Sequence, residues 1–137
     1  IFNCCRNLPI PIYGNGENIR DWLYVGDHVD AIEKILLKAM PGSNFCIGGG
    51  TELSNINLVK LILEIFEESF STKHNTDLSD LITFVPDRPG HDFRYSIDAA
   101  FIKNQLNWSP TMNLRDGLRE TVNWYFSNNL WWETFIN

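Results

Sequence analysis

Short extended runs alternate with helical stripes along this chain, and the runs are too few and too short to close a sheet of their own. Pro9 to Tyr13 is extended, because each proline disfavours helix at the residue before it. Gly14-Asn15-Gly16 is a turn signal, and Ile19 to Val25 reads as a strand. Val29, Ile32, Ile35, Leu36 and Ala39 then form one helical stripe, with Asp27 as its N-cap and Pro41-Gly42 as its stop. Asn44 to Ile47 reads as a strand entering Gly48-Gly49-Gly50. Asn57 reads as the N-cap of a helix with Ile56 and Leu61 as a hydrophobic staple, its stripe continuing through Leu58, Ile62, Ile65 and Phe66.

The second half repeats the alternation. Ser69 to Asp80 is polar and reads as a loop, and Leu81 to Val85 as a strand. Asp98 can cap a helix through Ala99, Ile102 and Leu106, with Asn107 as a left-handed C′ residue. Asn113 caps a last helix with Asp116 at N3 and a buried face of Leu114, Leu118, Val122 and Tyr125. Leu130-Trp131-Trp132 ends the pattern. Strand–helix alternation specifies an α/β fold, and strands this sparse suit a layer that packs on a larger sheet.

The 137 residues suffice for one domain with a core. With 17 acidic and 11 basic residues the net charge is −6, which disfavours diffuse binding to nucleic acid or to an anionic membrane surface. An anion site must therefore be a local cluster. No apolar run is long enough to cross a bilayer, and Ile1 to Tyr13 lacks a signal-peptide pattern. Cys4, Cys5 and Cys46 have no metal-ligand spacing and read as reduced thiols, which points to the cytoplasm.

Three clusters carry candidate chemistry. Pro11, Ile12 and Tyr13 offer extended backbone beside an aromatic, suited to a flat base. Arg20 offers a planar donor fork, suited to phosphate or to a neighbouring carboxylate. Arg88 and His91 flank a Pro-Gly turn that can aim both at one anion, or leave them in a loop of mutual ion pairs. Asn55 lies near a helix N-terminus, where it either faces a ligand or bonds its own turn. Gly48-Gly49-Gly50 matches no phosphate-loop spacing and reads as a flexible connection. No catalytic set emerges. Tyr13, Tyr24, Tyr95 and Tyr125 each lack a lysine four positions on, and His28, His74 and His91 are scattered.

The segment Leu8 to His28, including Arg20-Asp21-Trp22-Leu23-Tyr24-Val25, resembles the dTDP-glucose 4,6-dehydratases of the extended short-chain dehydrogenase/reductase superfamily. The resemblance continues through Phe45 to Gly49, Ser54 to Ile56, Asp87 to Asp98, Leu106 to Pro110 and the Trp131-Trp132 tail. It implies the C-terminal, substrate-binding part of that fold, with the Rossmann NAD-binding half absent. For the complete enzyme it implies a homodimer with bound NAD. C4 of the sugar is oxidised, water leaves across C5–C6, and hydride returns to C6, giving dTDP-4-dehydro-6-deoxyglucose. By position, the resemblance gives thymine to Pro11, Ile12 and Tyr13, pyrophosphate to Arg20, Arg88 and His91, and the nucleotide to Asn55. The family's glycine-rich NAD loop, Tyr-x-x-x-Lys pair and acid/base carboxylates have no counterpart here, so the chain alone is expected to bind no NAD and to hold no catalytic residue.

Gly26 departs from the acidic residue usual at its position, a loss of about a few tenths of a kcal/mol at a helix start. Position 1 is Ile and Ile1 to Asn7 resembles the last turns of a longer helix, so a fragment or split gene is expected. Two alternatives stand beside this reading: a non-catalytic nucleotide-sugar-binding module, and a portion of a related UDP- or GDP-sugar decarboxylase, dehydratase or epimerase.

Overall fold

The computed structural model describes residues 1–70 and 77–135. The order is α1 (Phe2–Cys5), β1 (Ile10–Tyr13), β2 (Ile19–Asp21), α2 (Val25–Lys38), β3 (Glu52–Ser54) and α3 (Asn55–Phe70). After a 3-10 turn at Leu78–Leu81 come β4 (Ile82–Val85), α4 (Ala100–Leu106), α5 (Leu114–Ser127) and α6 (Asn129–Glu133). The fold is α/β, as the alternation requires. β1 and β4 pair in parallel, with Ile10 opposite Ile82 and Tyr13 opposite Val85. Parallel neighbours need a long crossover, and everything from β2 to the 3-10 turn supplies it. Within that crossover β2 and β3 pair antiparallel, Ile19 opposite Ser54 and Asp21 opposite Glu52.

The core follows the α3 stripe. Leu58, Ile62, Ile65 and Phe66 are buried with Leu63, Cys4, Leu78 and Val122, where α3 packs on α5. Each such side chain contributes about 1.5–3 kcal/mol on burial. A second cluster joins Ala31 of α2 to Ile102, Leu106 and Trp108. The start of α5 is as expected: Asn113 Oδ1 accepts from Asp116 N at 2.9 Å. Asn107 adopts the left-handed conformation, φ 49° and ψ 44°. Asp98 accepts from Ala100 N at 2.8 Å, although Ala99 holds the cap position.

Several elements differ from the sequence reading. The strand read over 19–25 ends at Asp21: Trp22 N still donates to Thr51 O and its indole N–H to Leu53 O, but Tyr24 already holds the cap position of α2. α2 then begins at Val25, so Asp27 sits inside its first turn instead of capping it. A Cβ at Gly26 would lie 2.5 Å from the Tyr24 ring, so a larger residue there requires that ring to shift. The α2 stripe is largely bare: Val29, Ile32 and Leu36 are exposed, and Ala31 is the fully buried residue of that helix. Asn44–Ile47 forms no strand, since none of the described strands lies beside it; Phe45 and Ile47 pack on the second cluster instead. Ser54 caps α3 in place of Asn57, its Oγ accepting from Asn57 N at 3.4 Å. Of the loop read over 69–80, α3 takes residues to Phe70 and the 3-10 turn buries Leu78. Residues 71–76 of that loop lie outside the described residues.

Candidate nucleotide-binding site

Because β1 and β4 run parallel, the segments that follow them leave from the same side of the pair. Ligands of open α/β sheets gather at such carboxyl ends. Here the 14–16 turn and the 87–95 loop meet. Gly14 N donates to Val85 O at 2.9 Å, and the Asp87 side chain packs where a Cβ on Gly14 would stand, with Oδ2 3.0 Å from that position. Gly16 has φ +77°, and a Cβ there would fall 2.8 Å from Ile12 Cγ2 and 2.9 Å from Ile56 Cβ. Only glycine allows β1 and the start of α3 to approach this closely.

That approach makes a pocket of about 190 Å³ lined by Pro11, Ile12, Tyr13, Trp22, Asn55, Leu58 and Val59. The first and third sequence clusters, separate in the chain, thus share one wall. Ile12 is buried and anchors the strand, while the Tyr13 ring is exposed at the rim. Asn55 is the first residue of α3, and its backbone N–H donates to Asn18 O at 3.0 Å. Asn18 is itself buried, and its Nδ2 donates to Asp92 O at 3.3 Å, tying the pocket to the loop.

Arg20 and His91 also come together. Residues 93–95 run alongside β2, with Ile19 N donating to Phe93 O at 2.7 Å and Tyr95 N to Ile19 O at 3.1 Å. This register brings the loop over Arg20. Arg20 Nη1 donates to Ile19 O at 2.6 Å, and Nη2 to Asp92 O at 3.0 Å and to His91 Nε2 at 2.8 Å. The Tyr95 ring lies 4.5 Å from its guanidinium carbon, within cation–π range. The Tyr95 phenol donates to the Asp92 carboxylate, and that bond and charge push its pKa up, while the Arg20 and Arg88 charges pull it down. Arg88 is exposed.

The loop was also open to being a set of mutual ion pairs. Arg94 fits that description: it binds Glu52 through two donors at 2.6 and 2.8 Å and clasps the loop to β3. The bond to Arg94 holds the Glu52 carboxyl below its usual range. Arg20 and Arg88 do not fit it. Among the described residues, no carboxylate oxygen lies within 4 Å of either guanidinium. The triple glycine is no phosphate cradle either. Asp21 already accepts from Gly49 N at 3.0 Å and Thr51 N at 3.1 Å, where an anion would sit. A larger depression, about 450 Å³, is lined by Tyr24, Val25, Glu120, Thr121, Trp124 and Tyr125. It contains no cation and none of the site residues. Among the described residues no cluster of His, Cys, Asp or Glu could hold a metal, and no helix is long and apolar enough to cross a membrane.

Sequence reasoning missed Asn18, Asp92 and Tyr95 as positioning groups. No local signal announces them, because their roles arise from a register across more than 70 residues.

A family model described as GDP-mannose 4,6 dehydratase matches residues 2–121. The dTDP-glucose 4,6-dehydratase of Neisseria meningitidis serogroup B is 44% identical over 139 residues, which cover 100% of this chain and 39% of that protein. Among solved structures, DesIV (dTDP-glucose 4,6-dehydratase) from Streptomyces venezuelae with NAD and TYD bound superposes with a TM-score of 0.83. It is 35% identical and matches over 97% of this chain and 38% of its own. The dTDP-glucose 4,6-dehydratase from Bacillus anthracis in complex with NAD gives 0.81 at 38% identity, over 97% and 39%. The chain thus spans about two fifths of the length of these relatives, and its α/β architecture matches part of the extended short-chain dehydrogenase/reductase fold.

Proposed function

The chain belongs to the GDP-mannose 4,6 dehydratase family, and from that premise we propose that it is the nucleotide-sugar-binding portion of a dTDP-glucose 4,6-dehydratase. The reading is supported above all by one observation. The 87–95 loop, which carries Arg88 and packs over Arg20, meets the turn that follows the pocket wall of Pro11, Ile12 and Tyr13, and no carboxylate among the described residues pairs with either arginine. The pocket suits a pyrimidine base. Extended backbone offers fixed donors and acceptors, and Tyr13 a ring face. Arg20 and Arg88 supply positive charge for the diphosphate in a chain whose net charge is −6. His91 belongs to the same site through its contact with Arg20.

The residues present do not fit NAD. The chain lacks a glycine-rich dinucleotide turn, and the Gly49 amide is already bonded to Asp21. The conversion of dTDP-glucose to dTDP-4-dehydro-6-deoxyglucose would therefore draw its redox cofactor and catalytic groups from polypeptide other than these residues. The role proposed for this chain is to hold the dTDP moiety.

Titration calorimetry with thymidine, uridine and guanosine diphosphates tests the reading. Thymidine diphosphate is expected to bind, and to bind more tightly than the other two. Preference for uridine or guanosine diphosphate would move the chain to a sister sugar-nucleotide enzyme. No heat with any of the three would overturn the nucleotide site.

A further inference from the structure

The His91 side chain is enclosed, only 6% exposed. Both ring nitrogens are engaged: Nε2 lies 2.8 Å from Arg20 Nη2, and Nδ1 lies 2.7 Å from Asp87 Oδ1. Arginine only donates and an ionised carboxylate only accepts, which leaves one arrangement. Nε2 carries the lone pair that accepts from Arg20, and Nδ1 carries the proton given to Asp87. A protonated imidazole could not accept from Arg20, and the Nε2–H tautomer would face donor to donor. We propose that Asp87 is a positioning residue for Arg20, acting through His91 by fixing the imidazole as an Nδ1–H acceptor. The proposal rests on the reading of Arg20 as a diphosphate-binding group.

The arrangement answers a specific physical need. A carboxylate placed directly against Arg20 would orient the guanidinium but also neutralise it, as Glu52 does for Arg94. A neutral imidazole orients the same plane and leaves its charge whole for an anion. Asp87, one group further away, keeps the imidazole in the required form. Its own carboxyl is held below the usual range, first by the bond from His91, with burial opposing and the Arg88 amide and charge assisting. The charged and titratable groups around the pair are Arg20, Arg88, Asp87, Asp92 and Tyr95.

Asp87 is also placed to link the two halves of the site. Its Oδ1 accepts from Arg88 N at 2.8 Å, and its side chain packs against Gly14, the residue after β1. One carboxylate thus touches the turn that follows the base-binding strand, the backbone of the second arginine, and the histidine that holds the first.

The experiment is nitrogen-15 NMR of the imidazole and guanidinium side chains in the ligand-free 137-residue chain, with thymidine diphosphate titrations alongside. The wild-type chain should show His91 as the Nδ1–H tautomer at neutral pH, with a slowly rotating Arg20 guanidinium. Asp87→Asn should scramble the tautomer, speed Arg20 rotation and weaken binding about tenfold, with the melting transition retained. Asp87→Glu should restore part of all three. An Nε2–H tautomer or an imidazolium in the wild-type chain overturns the proposal, as does Asp87→Asn leaving tautomer and Arg20 signals unchanged. If the wild-type chain binds no nucleotide, the nucleotide site fails and the side-chain signals still decide this question. If Asp87→Asn does not fold, the wild-type tautomer and Asp87→Glu decide it.

Discussion

Asp27 and Thr111, 84 residues apart in sequence, share one carboxylate clamp. Asp27 Oδ1 accepts from Thr111 N at 3.0 Å and from Thr111 Oγ1 at 2.8 Å, while Oδ2 accepts from Met112 N at 3.0 Å. The carboxylate lies in the first turn of α2 and fastens that helix to the segment entering α5.

Asp27→Asn should therefore destabilise the fold, because the amide nitrogen would face a backbone donor and leave a buried N–H unpaired. The expected cost is about 2–4 kcal/mol, read as a shift of the urea midpoint at pH 7. Burial alone would raise the Asp27 pKa, but the bonds from Thr111 and Met112 outweigh it and hold the group below the usual range. A lowered folded-state pKa contributes stability above the unfolded value, about 4, and loses it as pH falls through the folded value. The gap between wild type and Asp27→Asn should narrow in acid. A gap that is constant from pH 7 to pH 2 would count against the clamp.

Gly16→Ala tests the close approach of β1 and α3. The left-handed φ of +77° is strained for alanine by about 1 kcal/mol, and the new Cβ would press on Ile12 and Ile56. Since Ile12 forms the pocket wall, thymidine diphosphate affinity should fall along with thermal stability. Unchanged affinity in a folded Gly16→Ala chain would show that the base does not depend on this wall.

The bare α2 face predicts self-association. Val29 is 58% exposed and Leu36 80% exposed on a helix whose polar pattern assigns them to a core. Exposed apolar stripes of this kind drive aggregation. The chain should bind an apolar-surface dye and scatter light at raised concentration. Val29→Lys with Leu36→Lys should reduce both without lowering the unfolding midpoint. A dye-silent, monomeric wild-type chain would contradict this.

How much could be read beforehand depended on whether a residue's partner was local. Asn113 and Asp116 are three apart, Asn107 answers to its own backbone, and the Leu58–Phe66 stripe meets a single helix face, so sequence spacing sufficed for all of them. The strand read over Asn44–Ile47 failed because a strand needs a neighbour, and periodicity cannot say whether one is there. The same holds for α2, whose stripe is periodic but uncovered. Within the site, the residue types at Pro11, Arg20, Asn55 and Arg88 were legible. The meeting of Arg20 and His91 was expected from the resemblance alone, and the Asp87–His91–Arg20 chain was not legible at all, because it depends on the β2–loop register.

Arg88 gives the sharpest test of the anion site. Arg20 is fixed by carbonyls, His91 and the Tyr95 ring, so its substitution would disturb the loop as well as remove a charge. Arg88 is exposed, and among the described residues no carboxylate pairs with it, so its loss should leave the fold nearly intact. A charge-assisted hydrogen bond to phosphate contributes about 1.5–3 kcal/mol, so Arg88→Ala should weaken thymidine diphosphate binding by about ten- to a hundredfold. Thymidine itself, lacking phosphate, should lose nothing, which separates charge from pocket shape. Arg88→Lys should recover only part, because a point charge cannot replace a two-donor fork. Raising salt should weaken wild type more than Arg88→Ala, since the variant has one fewer charge for salt to screen. Equal diphosphate affinities for wild type and Arg88→Ala would remove Arg88 from the site and leave Arg20 as its cation.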